Sequence, residues 1–191
     1  GSATGTGKTY TAIALCKQLN LDPIIICSKS TRGNWKLVCN KFKVNPLCVV
    51  NYELIRNCKI YDSENNKTEA KFVYKDDKKK FRWSIDKPKK TIIIYDEAHK
   101  CKNNKSQLGK LFLSSKHQCK ILMLSATLCD KLDDFAVFGY MLGLYNKVLL
   151  GRNWIKGILR NDTKRIGKHR YSSLADSLFP DKGSRMMLED I

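Results

Sequence analysis

A chain of 191 residues with 42% hydrophobic side chains can hold one α/β domain with a small appendage, and it is too apolar for wholesale disorder. Its formal charge of +18 points to a polyanionic partner, nucleic acid first, although solvated surface lysines alone would produce the same balance. There is no signal peptide and no run of about eighteen apolar residues, so an intracellular, soluble protein without a membrane partner is expected. The eight cysteines form no CxxC pair, and Cys16, Cys27, Cys39 and Cys48 fall in apolar runs or on helix faces. That distribution fits reduced, buried thiols, not a disulfide framework or a zinc site.

The chain opens on SATGTGKT, Ser2 to Thr9. A glycine-rich turn ending in Lys-Thr wraps phosphates with backbone N–H groups, and its hydroxyl holds Mg²⁺. Ser2 stands where the strict pattern has its first glycine, while Gly5, Gly7, Lys8 and Thr9 are in place; a chance glycine turn is the competing explanation. The strand that should feed such a loop does not precede it, so the chain is expected to be a piece of a longer protein. Ala12, Leu15, Cys16 and Leu19 then follow helical spacing, which would aim a positive helix terminus at the phosphates.

Pro23 to Ser28 reads as a buried strand ending on a hydroxyl, and Trp35, Val38, Cys39 and Phe42 as a helix whose stripe makes Trp35 a core anchor. Leu47 to Tyr52 is the next strand. Between Asn57 and Lys90 the apolar runs vanish. Within that insertion Lys71 to Lys75 and Phe81 to Ile85 alternate around a charged turn, as a β-hairpin does. Its interleaved Phe72, Tyr74, Phe81 and Trp83 either pack on the domain, the favoured reading, or contact nucleic acid.

Ile92 to Tyr95 is a third buried strand, stopping on Asp96-Glu97-Ala98-His99. Two carboxylates at a buried strand end are costly without a cationic partner, which the phosphate loop with its metal supplies. One stretch takes the triphosphate of ATP, the other the metal and the attacking water. The alternative, a helix N-cap followed by a first-turn acid, is the weaker account. Leu108, Leu111 and Phe112 mark another helix, Lys120 to Leu124 a fourth buried strand ending on Ser125-Ala126-Thr127, and Leu132, Phe135, Ala136 and Gly139 a further helix.

Strands alternating with helices predict a parallel sheet with helices on both faces. In such sheets ligands sit beyond the carboxyl ends of the strands, where Ser28, Asn51, Asp96-Glu97 and Ser125-Thr127 would gather. The expected organisation is one lobe over 1–144, carrying the 57–90 insertion, followed by a basic, helical segment over 145–191.

SATGTGKT, CSKSTRGNW, VVNYELIR, YDEAHKCKN and LSATL, in that order, resemble motifs I, Ia, Ib, II and III of superfamily 2 helicases. Asn34-Trp35, Asn51-Tyr52-Glu53-Leu54 and Asp96-Glu97-Ala98-His99 with Lys102-Asn103 make the chain most similar to Swi/Snf-type DNA translocases. Ser125-Ala126-Thr127 is the general superfamily form and not the Gly-Thr-Pro usual in that subfamily. Phe179 to Met186 resembles the helicases of large DNA viruses.

The resemblance implies the first RecA-like lobe of a P-loop motor whose second, arginine-bearing lobe lies elsewhere. It implies ATP and Mg²⁺ as cofactors and double-stranded DNA as partner. Thr4, Gly5, Thr6, Gly7, Lys8, Thr9 and Tyr10 would bind nucleotide, with Lys8 on the β- and γ-phosphates and Thr9 and Asp96 on the metal. Glu97 would position and deprotonate water, and His99 would couple the site to Ser125 or Thr127. Ser28, Lys29, Arg32 and Asn51 would grip the sugar-phosphate backbone. An RNA helicase, a low-turnover ATP switch within a transcription or packaging complex, and a restriction-enzyme motor subunit stay open. Glu97 argues against the switch, which needs no activating base.

Overall fold

The computed structural model describes residues 7–126, 134–164, 177–178 and 181. Four parallel strands form its sheet, in the order β2-β1-β7-β8: β1 (Asp22–Cys27), β2 (Cys48–Asn51), β7 (Thr91–Asp96) and β8 (Lys120–Leu124). The α/β class expected from the alternating pattern, and the RecA-like form of it that the resemblance implied, are present. Every residue of β2 and β7 is buried, because the sheet is covered on both sides and neither face can be polar.

Alternation along the strands divides the core in two. Ile25, Cys27, Val49, Ile92 and Ile94 face α1 (Lys8–Gln18) and α2 (Arg32–Phe42). Ile24, Ile26, Val50, Ile93 and Tyr95 face the opposite layer, which comprises α3 (Tyr52–Ile55), α4 (Gln107–Ser114), α5 (Phe135–Met141) and α6 (Gly151–Lys164). Tyr95 anchors that side: its ring meets Phe112 edge-on at 4.7 Å and its hydroxyl donates to Ser115 Oγ at 3.0 Å.

Two elements differ from their sequence reading. In α1 the buried residues are Ala12, Ile13 and Cys16, whereas Leu15 and Leu19 are exposed, so the core-facing stripe is rotated by a step. In β8, Ile121 to Leu124 are only half buried, because among the described residues this strand has a neighbour on one side only.

The insertion contains two hairpins. β3 (Lys59–Tyr61) pairs with β4 (Lys67–Glu69), and β5 (Val73–Lys75) with β6 (Phe81–Trp83). Val73 and Phe81 are buried, Phe72 stacks on Trp83 with centroids 6.2 Å apart, and the Trp83 indole donates to Ser114 Oγ on α4 at 2.8 Å. Three of the four aromatics therefore serve packing, and only Tyr74 is exposed.

Beyond α5, Tyr145 wedges between Gly139 and Gly151, where any Cβ would collide with its ring or hydroxyl, and donates to the Ala136 carbonyl at 2.7 Å. This close approach lets α6 dock: Ile155 joins the core and Trp154 meets Tyr145 at 5.6 Å. The described start of the basic segment, α6, therefore packs on the core beside α5. No helix among the described residues is long and apolar enough to cross a membrane.

Candidate nucleotide site and nucleic-acid rim

Because the four strands are parallel, their carboxyl ends share one rim; Cys27 lies opposite Asn51, and Asp96 opposite Leu124. α1 runs back along the sheet before a short turn into β1, so its first residues return to that same rim. Gly7 takes a left-handed φ of 69° immediately before the helix, a conformation free of cost only for glycine. Lys8 and Thr9 follow in the first turn, half exposed, and Tyr10 beside them is exposed with its ring edge on Phe42 at 6.1 Å. First-turn N–H groups lack helical acceptors and carry positive partial charge, which suits a phosphate. Thr4, Gly5, Thr6 and Thr127, and the segment 182–191 with Phe179 and Pro180, lie outside the described residues.

Asp96 ends β7 and is buried. Its Oδ2 accepts the Trp35 indole N–H at 2.9 Å and lies 3.4 Å from the Thr31 hydroxyl, while its main-chain oxygen accepts the Tyr52 hydroxyl at 2.7 Å. Burial pushes the Tyr52 phenol well above its usual range, so it remains a donor. Among the described residues no hydrogen bond is made to Oδ1, which leaves one carboxylate oxygen available to a cation. By chemistry alone, a carboxylate oxygen and a hydroxyl such as that of Thr9 are donors of the kind a hard, oxygen-seeking divalent ion takes.

Glu97 then turns the chain sharply, with φ 57° and ψ 52°. A left-handed glutamate is a local strain, of the kind that persists where surrounding structure enforces it. The turn starts the 3₁₀ helix Ala98–Cys101 and points successive side chains to different partners. His99 Nδ1 lies 3.1 Å from Glu97 Oε2 and 3.2 Å from Ser125 Oγ. An ionised carboxylate can only accept, so Nδ1 carries the proton there and Ser125 shares it or turns its lone pair toward it. The structure thus joins Glu97, His99 and Ser125 in one chain across β7 and β8. Lys100 reaches the other way, donating to Ser28 Oγ at 2.8 Å with its ammonium 5.5 Å from the Tyr52 ring.

On the rim beyond, Ser28 is half exposed and Lys29 exposed. Arg32 is more occupied: Nε donates to the Val49 carbonyl at 3.2 Å, the guanidinium stacks 3.6 Å over Tyr61, and its terminal nitrogen bonds Asn65 Oδ1. Asn51 is buried; it donates to Glu53 Oε2 at 2.6 Å and accepts the Tyr61 hydroxyl at 3.1 Å. That amide ties the end of β2 to α3 and to the β3–β4 hairpin. The Asn51 bond chiefly, helped by the Glu53 backbone, holds the Glu53 carboxyl below its usual range.

Sequence reasoning missed Trp35 and Tyr52 as partners of Asp96, Lys100 as a bridge to Ser28, and Tyr61 as the ring beneath Arg32. Separations of 61 and 44 residues for the first two carry no periodic signal.

Comparison with known proteins follows this geometry. Residues 1–130 match the family described as Type III restriction enzyme, res subunit. A curated relative, "Putative ATP-dependent RNA helicase L364" of Acanthamoeba polyphaga mimivirus, is 36% identical over 153 residues; the match spans 74% of this chain and 28% of that protein. Among solved structures, the Sulfolobus solfataricus SWI2/SNF2 ATPase core in complex with dsDNA superposes with a TM-score of 0.53. It is 17% identical over 98% of this chain and 39% of its own, a likeness of fold.

Proposed function

Because this chain belongs to the Type III restriction enzyme res-subunit family of helicase-type ATPases, we propose that it is the nucleotide-binding lobe of an ATP-driven motor that moves along nucleic acid, with duplex DNA as its track. One arrangement carries this reading: a buried Asp96 with one oxygen left over, followed by a strained Glu97 that His99 ties to Ser125.

In this reading Gly7 and the residues before it cradle the phosphates, Lys8 neutralises the β- and γ-oxygens, and Tyr10 flanks the nucleotide. Thr9 and Asp96 would hold Mg²⁺, which would supply positive charge to offset that of the phosphates. Glu97 orients water and takes its proton. His99 reports the state of Glu97 to Ser125, and through it to Thr127. Ser28, Lys29 and Arg32 meet the sugar-phosphate backbone, an interaction that is sequence-independent and salt-sensitive. The relatives' greater length supports a second lobe in the full-length protein that completes the site, so the 191-residue chain alone should bind ATP weakly and turn it over slowly.

The name of the mimivirus relative favours a second reading, an RNA helicase. The discriminating experiment is the ATPase rate of the full-length protein with duplex DNA, single-stranded DNA, RNA or no polymer, at fixed salt. Strong stimulation by duplex DNA supports the translocase. Stimulation by RNA alone replaces it with the RNA helicase, and a low, polymer-independent rate replaces both with an ATP switch.

A further inference from the structure

We propose that Trp35 is a positioning residue for the metal-side carboxylate, acting with Tyr52 to fix the direction in which Asp96 presents its open oxygen. The inference rests on the nucleotide-site reading above and concerns residues that reading leaves without a role.

A carboxylate can rotate about its last bond, and a cation needs one oxygen held along one direction. Trp35 removes that freedom. Its indole N–H sits 2.9 Å from Asp96 Oδ2, and the ring is fully buried among Ile25, Val38, Ile94 and their neighbours, so the donor cannot swing away. The second contact is less constraining. Thr31 Oγ1 lies 3.4 Å from Oδ2 but 3.2 Å from the Ser28 carbonyl, and its single proton can serve only one of them. An indole has one proton and no accepting lone pair, so at this contact it can only donate, and its direction is set by the ring.

Tyr52 fixes the other end of the same residue. Its hydroxyl holds the Asp96 carbonyl at 2.7 Å, where the chain leaves β7 for the left-handed turn at Glu97. Side chain and main chain of Asp96 are thus pinned from two separate elements, α2 and α3. A tryptophan that only filled space would be replaced well by phenylalanine; one that orients a ligand oxygen would not, because partners behind a metal ligand set its geometry and affinity.

The test is Trp35→Phe in the full-length protein, which keeps an aromatic ring in the core and deletes the donor. ADP binding is measured by calorimetry in EDTA and with Mn²⁺, and Mn²⁺ occupancy by electron paramagnetic resonance in the presence of ADP. Expected are a nearly unchanged melting temperature, metal-free ADP affinity within about twofold, and Mn²⁺ affinity reduced about tenfold. The Mg²⁺ needed for half-maximal ATPase should rise in step, with kcat largely recovered at high Mg²⁺. Tyr52→Phe, which keeps its ring, should show the same split at about a few-fold, and it decides the matter should Trp35→Phe fail to fold. Unchanged Mn²⁺ affinity, or equal loss with and without metal, overturns the inference. A wild-type protein that binds no metal-nucleotide overturns the nucleotide-site reading itself.

Discussion

Two glycine-to-alanine substitutions, both in helices, should move stability in opposite directions. In a helix interior alanine is favoured over glycine by about 1 kcal/mol, because glycine has more freedom to lose. At Gly157 in α6 an added Cβ would meet nothing within 4 Å, so Gly157→Ala should realise most of that, about 0.5–1 kcal/mol. At Gly109 in α4 the same methyl would collide with the Asn103 carbonyl oxygen, standing 2.7 Å from the Asn103 carbonyl carbon and 3.0 Å from Asn104 Cα. Ordinary contacts begin at about 3.0–3.5 Å and the carbonyl oxygen is the nearest atom, so the main chain must retreat by about 1 Å or more. It is not free to do so. The Asn103 carbonyl accepts both the Ser106 N–H at 3.1 Å and the Ser106 hydroxyl at 2.7 Å, while Ser106 Oγ caps the helix by accepting from Gly109 N at 3.0 Å.

Overpacking against pinned backbone costs about 1–3 kcal/mol, and an overlap this deep belongs to the upper part of that range, about 2–3 kcal/mol, so the propensity gain of about 1 kcal/mol leaves a net loss of about 1–2 kcal/mol. For a chain of this length that is a fall of about 2–8 °C in Tm for Gly109→Ala, against a rise of about 1–4 °C for Gly157→Ala. Thermal unfolding followed by circular dichroism measures both. A Gly109→Ala protein as stable as wild type would refute the reasoning, because it would show that the Asn103–Ser106 turn yields freely.

Three further outcomes are expected. Glu97→Gln should lower polymer-stimulated ATP hydrolysis in the full-length protein by about 10²–10⁴-fold while nucleotide binding persists; unimpaired turnover would remove Glu97 as the base. Glu53 titrates below its ordinary 4.5 in the folded protein, so its contribution is complete above that pH and disappears as pH falls through the lowered value. The Tm gap between wild type and Glu53→Gln should therefore hold steady above about pH 5 and close as pH falls below it, and a gap constant with pH would exclude the linkage. Burial pushes the Cys27, Cys48 and Cys101 thiols up to about 12, leaving almost no thiolate at neutral pH. Iodoacetamide at about pH 8 should leave all three unmodified in the native protein and label them in urea, read by peptide mass mapping; rapid native labelling of Cys48 would contradict its environment.

Local chemistry was legible wherever it is contiguous. Isoleucine-rich runs at 24–26 and 92–94 can only be strands buried on both faces, so the layered α/β class followed from the chain itself. An acidic pair closing such a run, with a Gly-Lys-Thr turn elsewhere, is what raised the expectation of a phosphate-and-metal site, because charges at a buried strand end are costly without partners. What the sequence could not convey was who stands behind those charges. Trp35 looked like a core anchor and is one, yet its one polar atom serves Asp96 from 61 residues away. The β3–β4 hairpin was silent because Lys59–Tyr61 and Lys67–Glu69 are mostly polar, and it acts on Asn51 through Tyr61 and on Arg32 through Tyr61 and Asn65. Periodicity records which face of an element is apolar. It does not record which distant side chain donates the hydrogen bond that fixes a carboxylate, and only tertiary packing decides that.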